Sequence, residues 1–297
     1  MSGLWRRFLV TLGLGFCALG SLSWALPVPA LATDGPLASD WVSGHKSRTR
    51  LTAGRVVNAG KPSGQLYAFV EIELAEGWKT YWRSPGDSGI PPHFEFGKSK
   101  NLANAEVLYP APKRIADRGE SIIGYTGIVI FPVALKAADP TLPIELSSDV
   151  QFGMCKDICV PTEAALTLSV APDAPPIPEG PAQEANDRVP VVIAVDAKTV
   201  SDSVPHLTNV TSGLKPATNK LSITANFPQG TTGADAFLEA PDGLYLPLLA
   251  QTTATGTSVT FEADLSKDVD LAALTGKIIG ITLVSDAGAS ETSFKFE

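Results

Sequence analysis

The sequence is poor in the residues from which most active sites are built. Its 297 residues include three cysteines, three histidines and two methionines. His45, His93 and His206 are scattered without metal-ligand spacing, so they read as surface residues and no resident metal or cofactor is expected. Basic residues are also few: 23 Lys and Arg stand against 31 Asp and Glu, a net charge of -8. Such an acidic chain is a poor nucleic-acid binder. Long charge-free apolar runs are missing beyond the first thirty residues. Leu271–Val284 is too short for a membrane span and contains Lys277, so no stable membrane insertion is expected of the body of the chain.

The N-terminus has a different texture. Arg6 and Arg7 precede an uncharged, largely apolar stretch from Phe8 to Leu26, and Ala30-Leu31-Ala32 follows with small residues at both ends. This is the pattern of a cleaved signal peptide, residues 1–32. Gly13, Gly15, Gly20 and Pro27 dilute the stretch below what a permanent anchor needs. The expected fate is export by the general secretory route. Cleavage would remove Cys17 and both arginines, taking the net charge to about -10 and leaving Cys155 and Cys159 as the only cysteines.

The remaining length suffices for two ordinary domains. Ala171-Pro172-Asp173-Ala174-Pro175-Pro176-Ile177-Pro178 and the residues to Arg188 are too proline-rich for helix or inner strand; they read as a stiff, extended linker over 172–188. A first domain is expected over 37–171 and a second over 189–297. Both halves read as β. In Leu66–Leu74, Leu66, Ala68, Val70, Ile72 and Leu74 alternate with Tyr67, Phe69, Glu71 and Glu73, a period of two that turns one apolar face to a core. Further strands are expected at Leu51–Val57, Gly127–Leu135, Ile144–Val150, Ala164–Val170, Leu221–Ala225, Ala236–Glu239, Leu244–Leu248, Val259–Leu265, Lys277–Val284 and Thr292–Phe296, with one short helical turn within Leu265–Leu274. The expected fold class is all-β, two immunoglobulin-like β-sandwiches in tandem.

Cys155 and Cys159 stand four apart in Gly153-Met154-Cys155-Lys156-Asp157-Ile158-Cys159-Val160-Pro161. A disulfide closing so short a loop stabilises by roughly 2 kcal/mol, against about 3 for a fifteen-residue loop, so stability is a modest reason to have it. On an extended strand the two residues would lie about 13 Å apart, far beyond disulfide reach. If the bond forms, the segment must turn back on itself. From the residues alone three readings stand: redox exchange, a structural clip in a binding module, and metal binding, with Met154, Cys155 and Cys159 as soft donors suited to Cu(I). Trp78, Tyr81, Trp82 and Arg83 form an aromatic block that suits either a partner or sugar platform or the rim of a sandwich core.

Four blocks carry a resemblance: Gly77-Trp78-Lys79-Thr80-Tyr81-Trp82-Arg83-Ser84-Pro85-Gly86-Asp87, Tyr109-Pro110-Ala111-Pro112, Gly124-Tyr125-Thr126-Gly127 ahead of Phe131-Pro132-Val133, and Cys155-Lys156-Asp157-Ile158-Cys159-Val160-Pro161. In order and spacing they resemble the N-terminal periplasmic domain of the DsbD and ScsB group of thiol:disulfide interchange proteins, over about Trp41–Val170. Three residues between the cysteines, where the DsbD branch has five, fit the ScsB branch, which is linked to copper tolerance. Phe237-Leu238-Glu239-Ala240-Pro241-Asp242-Gly243 resembles the additional β domain of that branch.

The resemblance implies a module that passes reducing equivalents to or from periplasmic oxidoreductases or isomerases of thioredoxin-like type. By position Cys159 is the exposed sulfur that forms the mixed disulfide and Cys155 the one that resolves it. A cap loop is implied at Ser121–Tyr125, with Ile123 or Tyr125 as the cover. From the residues themselves, Trp82 reads as a partner contact or as sandwich core, and Asp87 as a turn residue or a group that orients a thiol. The sequence ends at Glu297 without membrane helices or a Cys-x-x-Cys module, so the reading is of a detached module served by a separate membrane electron donor.

Overall fold

The computed structural model describes residues 37–56, 64–86, 89–117, 120–194, 203–213, 219–241 and 244–297. The leader assigned to residues 1–32, Cys17 within it, and Asp87 lie outside the described residues. In chain order the elements are β1 (Leu37–Ala38), β2 (Val42–Gly44), β3 (Ser47–Val56), β4 (Gln65–Leu74), β5 (Lys79–Tyr81), β6 (His93–Glu95), β7 (Leu102–Val107), β8 (Lys113–Asp117), β9 (Glu120–Thr126), β10 (Ile128–Ala137), β11 (Ile144–Cys155), β12 (Cys159–Val170), helix α1 (Pro181–Asp187), β13 (Val191–Val192), β14 (His206–Gly213), β15 (Lys220–Asn226), β16 (Asp235–Glu239), β17 (Ala250–Thr255), β18 (Ser258–Asp264), helix α2 (Leu271–Leu274), β19 (Ile278–Ser285) and β20 (Gly288–Lys295). The described residues are all-β apart from these two short helices.

Among the described residues the strands form four sheets. The first has the order β1-β3-β4-β10-β7 with β2 beside β3, and the second β12-β11-β5-β9-β8 with β6 beside β11. Their inner faces share one core, in which Leu51, Val70 and Phe131 of the first sheet meet Val150, Phe152 and Leu166 of the second. The third and fourth sheets, β13-β20-β19-β16 and β14-β15-β18-β17, enclose a core around Leu221, Ile223, Phe261, Ile279, Ile281 and Phe294. Phe237, Val284 and Ala289 of the second sandwich join the core of the first, so the two sandwiches are packed together.

Alternation decides most of these elements. Ile144, Leu146, Ser148, Val150, Phe152 and Met154 are all buried, and this unbroken period of two carries β11 past the expected end at Val150 to Cys155. In β4 the expected inner face, Ala68, Val70, Ile72 and Leu74, lies in the core. Its other face is covered as well, where Tyr67 and Phe69 pack with Val56, Ile130, Ile177 and Ala185.

That cover corrects the reading of 172–188 as a stiff, extended linker. Arg55 N–H donates to Pro175 O at 2.9 Å and Ile177 N–H to Arg55 O at 3.0 Å, which adds a short parallel bridge at Pro176 to the edge of β3. Pro181–Asp187 is helical with proline in its first turn, the one helical position where a missing N–H and a fixed φ cost nothing. Leu244–Leu248 is not a strand either: it crosses irregularly, Pro247 within it, with Leu248 against Gly86. No helix of the described residues is long and apolar enough to cross a membrane.

Candidate functional site

Strands β11 and β12 are the two arms of one hairpin, in antiparallel register from Ile144↔Val170 to Cys155↔Cys159. The loop is Lys156-Asp157-Ile158, with Lys156 N–H donating to Ile158 O at 3.3 Å. The cysteines are the last pair before the turn, joined by a disulfide with Cα atoms 4.2 Å apart, close to the spacing of about 4.5 Å for a non-hydrogen-bonded antiparallel pair. This is the fold-back that bond geometry demands of residues four apart.

The two sulfurs have unlike surroundings. Cys155 is 7% exposed and packs with Tyr81 and Ile122, with Ile115 beside them. Cys159 is exposed, next to Ile158 at 65% exposure. The Tyr81 hydroxyl lies 3.1 Å from Cys159 Sγ. A disulfide sulfur carries no proton, so the phenol is the donor.

Register explains why these residues meet. On the outer face of the second sheet, Cys155 lies opposite Lys79 of β5, Tyr81 opposite Gly124 of β9, and Ile122 of β9 opposite Ile115 of β8. Gly153 has no side chain, and the Tyr81 ring lies beside it: a Cβ there would fall 3.1 Å from its Cε2. Gly89 closes over the ring from outside, its Cβ position 2.5 Å from Tyr81 Cδ1. Thr80, facing inward, fastens β5 to the hairpin by donating from Oγ1 to Gly153 O at 2.8 Å.

A hydrogen bond donated to the sulfur favours the thiolate once the pair is reduced. Buried Lys79, directly across from Cys155, adds a cation to the same side. Tyr81→Phe keeps the ring beside Gly153 and removes only the donor. Alkylation of Cys159 in the reduced protein at pH 7 is expected to slow about tenfold, the equivalent of about 1.5 kcal/mol for a hydrogen bond to a charged group. An unchanged rate would mean that Tyr81 is packing alone.

Four other expected residues lie elsewhere. Ile123 and Tyr125 belong to the expected cap segment, but their side chains face the core; the residue on the cysteine side is Ile122, one position away, because neighbours on a strand point to opposite faces. Tyr125 donates to Pro110 O at 2.8 Å and packs edge-on against Phe131; burial pushes its phenol well above the usual value, with charges of Arg83, Tyr109, Arg188 and Glu239 adding smaller opposed effects. Trp82 is fully buried with its ring 6.0 Å from Phe237, so it is no exposed partner contact. Met154 is fully buried in the core, on the face opposite Cys155, and the three soft donors proposed for Cu(I) do not converge. No cluster of three or more His, Cys, Asp or Glu suited to a metal occurs among the described residues.

Sequence reasoning did not foresee Tyr81, Lys79 and Ile122 as neighbours of the sulfurs. Tyr81 was visible only as one of an aromatic block. The signal that singles it out is Gly153, a glycine inside a strand that marks room for a large ring from its neighbour.

Residues 51–171 match the family described as thiol:disulfide interchange protein DsbD, N-terminal. No curated protein matches the chain. The crystal structure of the N-terminal periplasmic domain of ScsB from Proteus mirabilis is similar in fold, with a TM-score of 0.63 and 23% identity over 88% of this chain and 99% of that one. That structure also spans both sandwiches, whereas the family match covers the half that holds the hairpin, the tyrosine and both cysteines. Over residues 51–171 the chain is similar to the DsbD N-terminal family of thiol:disulfide interchange proteins.

Proposed function

We propose that this protein is an exported interchange module that shuttles two electrons through Cys155 and Cys159 between a membrane electron donor and thioredoxin-like oxidoreductases or isomerases of the periplasm. The observation that carries the reading is the asymmetry of the pair, one sulfur exposed at a hairpin tip with a phenol donor 3.1 Å away and the other sheltered behind Tyr81 and Ile122. A clip needs no such distinction.

In the reducing direction the Cys159 thiolate attacks one sulfur of the partner's disulfide. A mixed disulfide forms and one partner thiolate leaves. Cys155, losing its proton, then attacks Cys159 Sγ; the mixed disulfide breaks, the partner's second thiolate departs, and Cys155–Cys159 forms. The pair gives up two electrons and two protons, which the partner's two thiols gain. Reduction by the donor is the same sequence in reverse. The phenol of Tyr81 stabilises charge on Cys159 both when it attacks and when it leaves.

The decisive measurement is the reduction potential of the pair, from the fraction of alkylated Cys155 and Cys159 after equilibration in glutathione buffers. A value of roughly -180 to -270 mV, the range of exchange-competent oxidoreductases, is expected. A value below about -300 mV would identify a permanent clip and end the interchange reading.

A further inference from the structure

The strands that carry the wall around the cysteines have a second face, and the second sandwich is docked on it. Trp82 follows Tyr81 and packs on Phe237. Arg83 comes next: its guanidinium lies 4.8 Å over the Trp82 ring, donates to both carboxylate oxygens of Glu239 at 2.7 and 2.6 Å, and donates to Glu291 at 2.6 Å. Ser84 Oγ donates to Leu238 O at 3.4 Å. On the other side of the wall, Arg114 precedes Ile115; it is bidentate to Asp235 at 2.9 and 2.8 Å and donates to Leu249 O at 2.9 Å. Ile123, the neighbour of Ile122, lines a crevice with Phe237 and Leu238. The backbone ties the two halves of the wall together, with Trp82 N–H donating to Ile123 O at 3.0 Å and Ile123 N–H to Pro85 O at 3.2 Å.

The pattern is a period of two. Tyr81, Ile115 and Ile122 face the disulfide, while Trp82, Arg114 and Ile123, each one residue away, face inward and towards the second sandwich. Burial of the Arg83 guanidinium works against its charge, but hydrogen bonds and charges from Glu239 and Glu291 outweigh it and hold its pKa above the ordinary value. The ion pairs are partly buried, where such pairs are costly to break one partner at a time.

We infer that the second sandwich is the backing of the redox wall, and that Arg83 and Arg114 are positioning residues which, by fixing Tyr81 and the Ile115–Ile122 cover, keep Cys155 shielded. The role assigned to the wall rests on the interchange reading, but shielding is a property of the reduced protein that can be read without any partner.

The test is the rate at which a small maleimide labels Cys155 in the reduced full chain, located by peptide mass, well below the melting temperature. In Arg83→Ala with Arg114→Ala, Cys155 is expected to label at least ten times faster than in the parent, and Arg114→Asp alone is expected to act in the same direction. Adding Asp235→Arg to Arg114→Asp rebuilds the ion pair with its charges exchanged and should bring labelling back to within a factor of two or three of the parent. A part that is merely structural would lower the melting temperature and leave labelling of the folded protein unchanged; that result, or failure of the exchanged pair to restore shielding in a folded variant, overturns the inference. Should the double alanine variant not fold, Glu239→Gln with Glu291→Gln weakens the same contact from the other side without changing shape and answers to the same criterion. A clip-like reduction potential in the parent would remove the interchange reading and leave this labelling result standing.

Discussion

Cys159→Ala is expected to reduce disulfide exchange with a thioredoxin-like partner to background, a loss on the order of a thousandfold or more, whereas Cys155→Ser should still capture the partner and stop there as a mixed disulfide. The difference follows from access. Exchange is an in-line displacement, so the attacking sulfur, the attacked sulfur and the leaving sulfur must align, and the partner's backbone must clear whatever surrounds the nucleophile. Cys159 is exposed beside an open turn. Cys155 is 7% exposed and backed by Tyr81 and Ile122, so an incoming disulfide meets those side chains first. Within the hairpin the situation reverses: Cys155 lies across from Cys159 with Cα atoms 4.2 Å apart, close enough to attack a sulfur that is already engaged. The two variants therefore separate capture from resolution. Covalent complexes on non-reducing gels, counted with each variant against an oxidised thioredoxin-like protein, provide the measurement. Capture through Cys155 in the Cys159→Ala protein, at a rate near that of the parent, would reverse the assignment of roles.

The sequence made the cysteine pair, the β class and the two-sandwich arrangement legible because all three depend on local pattern. Two cysteines four apart can only bond across a turn, and runs such as Leu66–Leu74 or Lys277–Val284 show their period directly. What stayed hidden depends on pairing between distant strands. Nothing local to Tyr81 indicates that Gly153, seventy-two residues later, leaves it room. The choice of Ile123 over Ile122 as cover was a one-residue error of phase, enough on a strand to exchange the core for the surface. The stretch 172–188 was misread for a related reason: prolines argue against regular structure but say nothing about docking. Tyr67 and Phe69, on what should have been a solvent face, were the available hint that something covers β4. Leu244–Leu248 shows the opposite limit, a strongly apolar run whose apolarity serves packing instead of a strand, with Leu244 and Leu246 against the core of the second sandwich and Leu248 against that of the first.

Gly124→Ala is expected to destabilise the protein by more than about 3 kcal/mol, at or beyond the upper end for overpacking a well-filled site. The reason lies in backbone geometry. A Cβ on Gly124 would fall 2.0 Å from Thr80 O and 3.1 Å from Tyr81 Cα, atoms that no side-chain rotation can move. Relief would require β9 to separate from β5, and the pairs at stake are Thr80↔Tyr125 and Tyr81↔Gly124. Because β5 is also the strand that holds Tyr81 against Cys159, the same substitution should disturb the site before it unfolds the sandwich. Gly97→Ala is the control, since a Cβ there meets nothing within 4 Å, and its cost should stay within about 1 kcal/mol. Urea unfolding of both variants gives the stabilities, and the intrinsic labelling rate of Cys159 in the folded, reduced proteins reports on Tyr81. If Gly124→Ala unfolds within 1 kcal/mol of the parent, β5 and β9 cannot be paired as closely as this register requires, and the phenol contact that depends on that pairing falls with it.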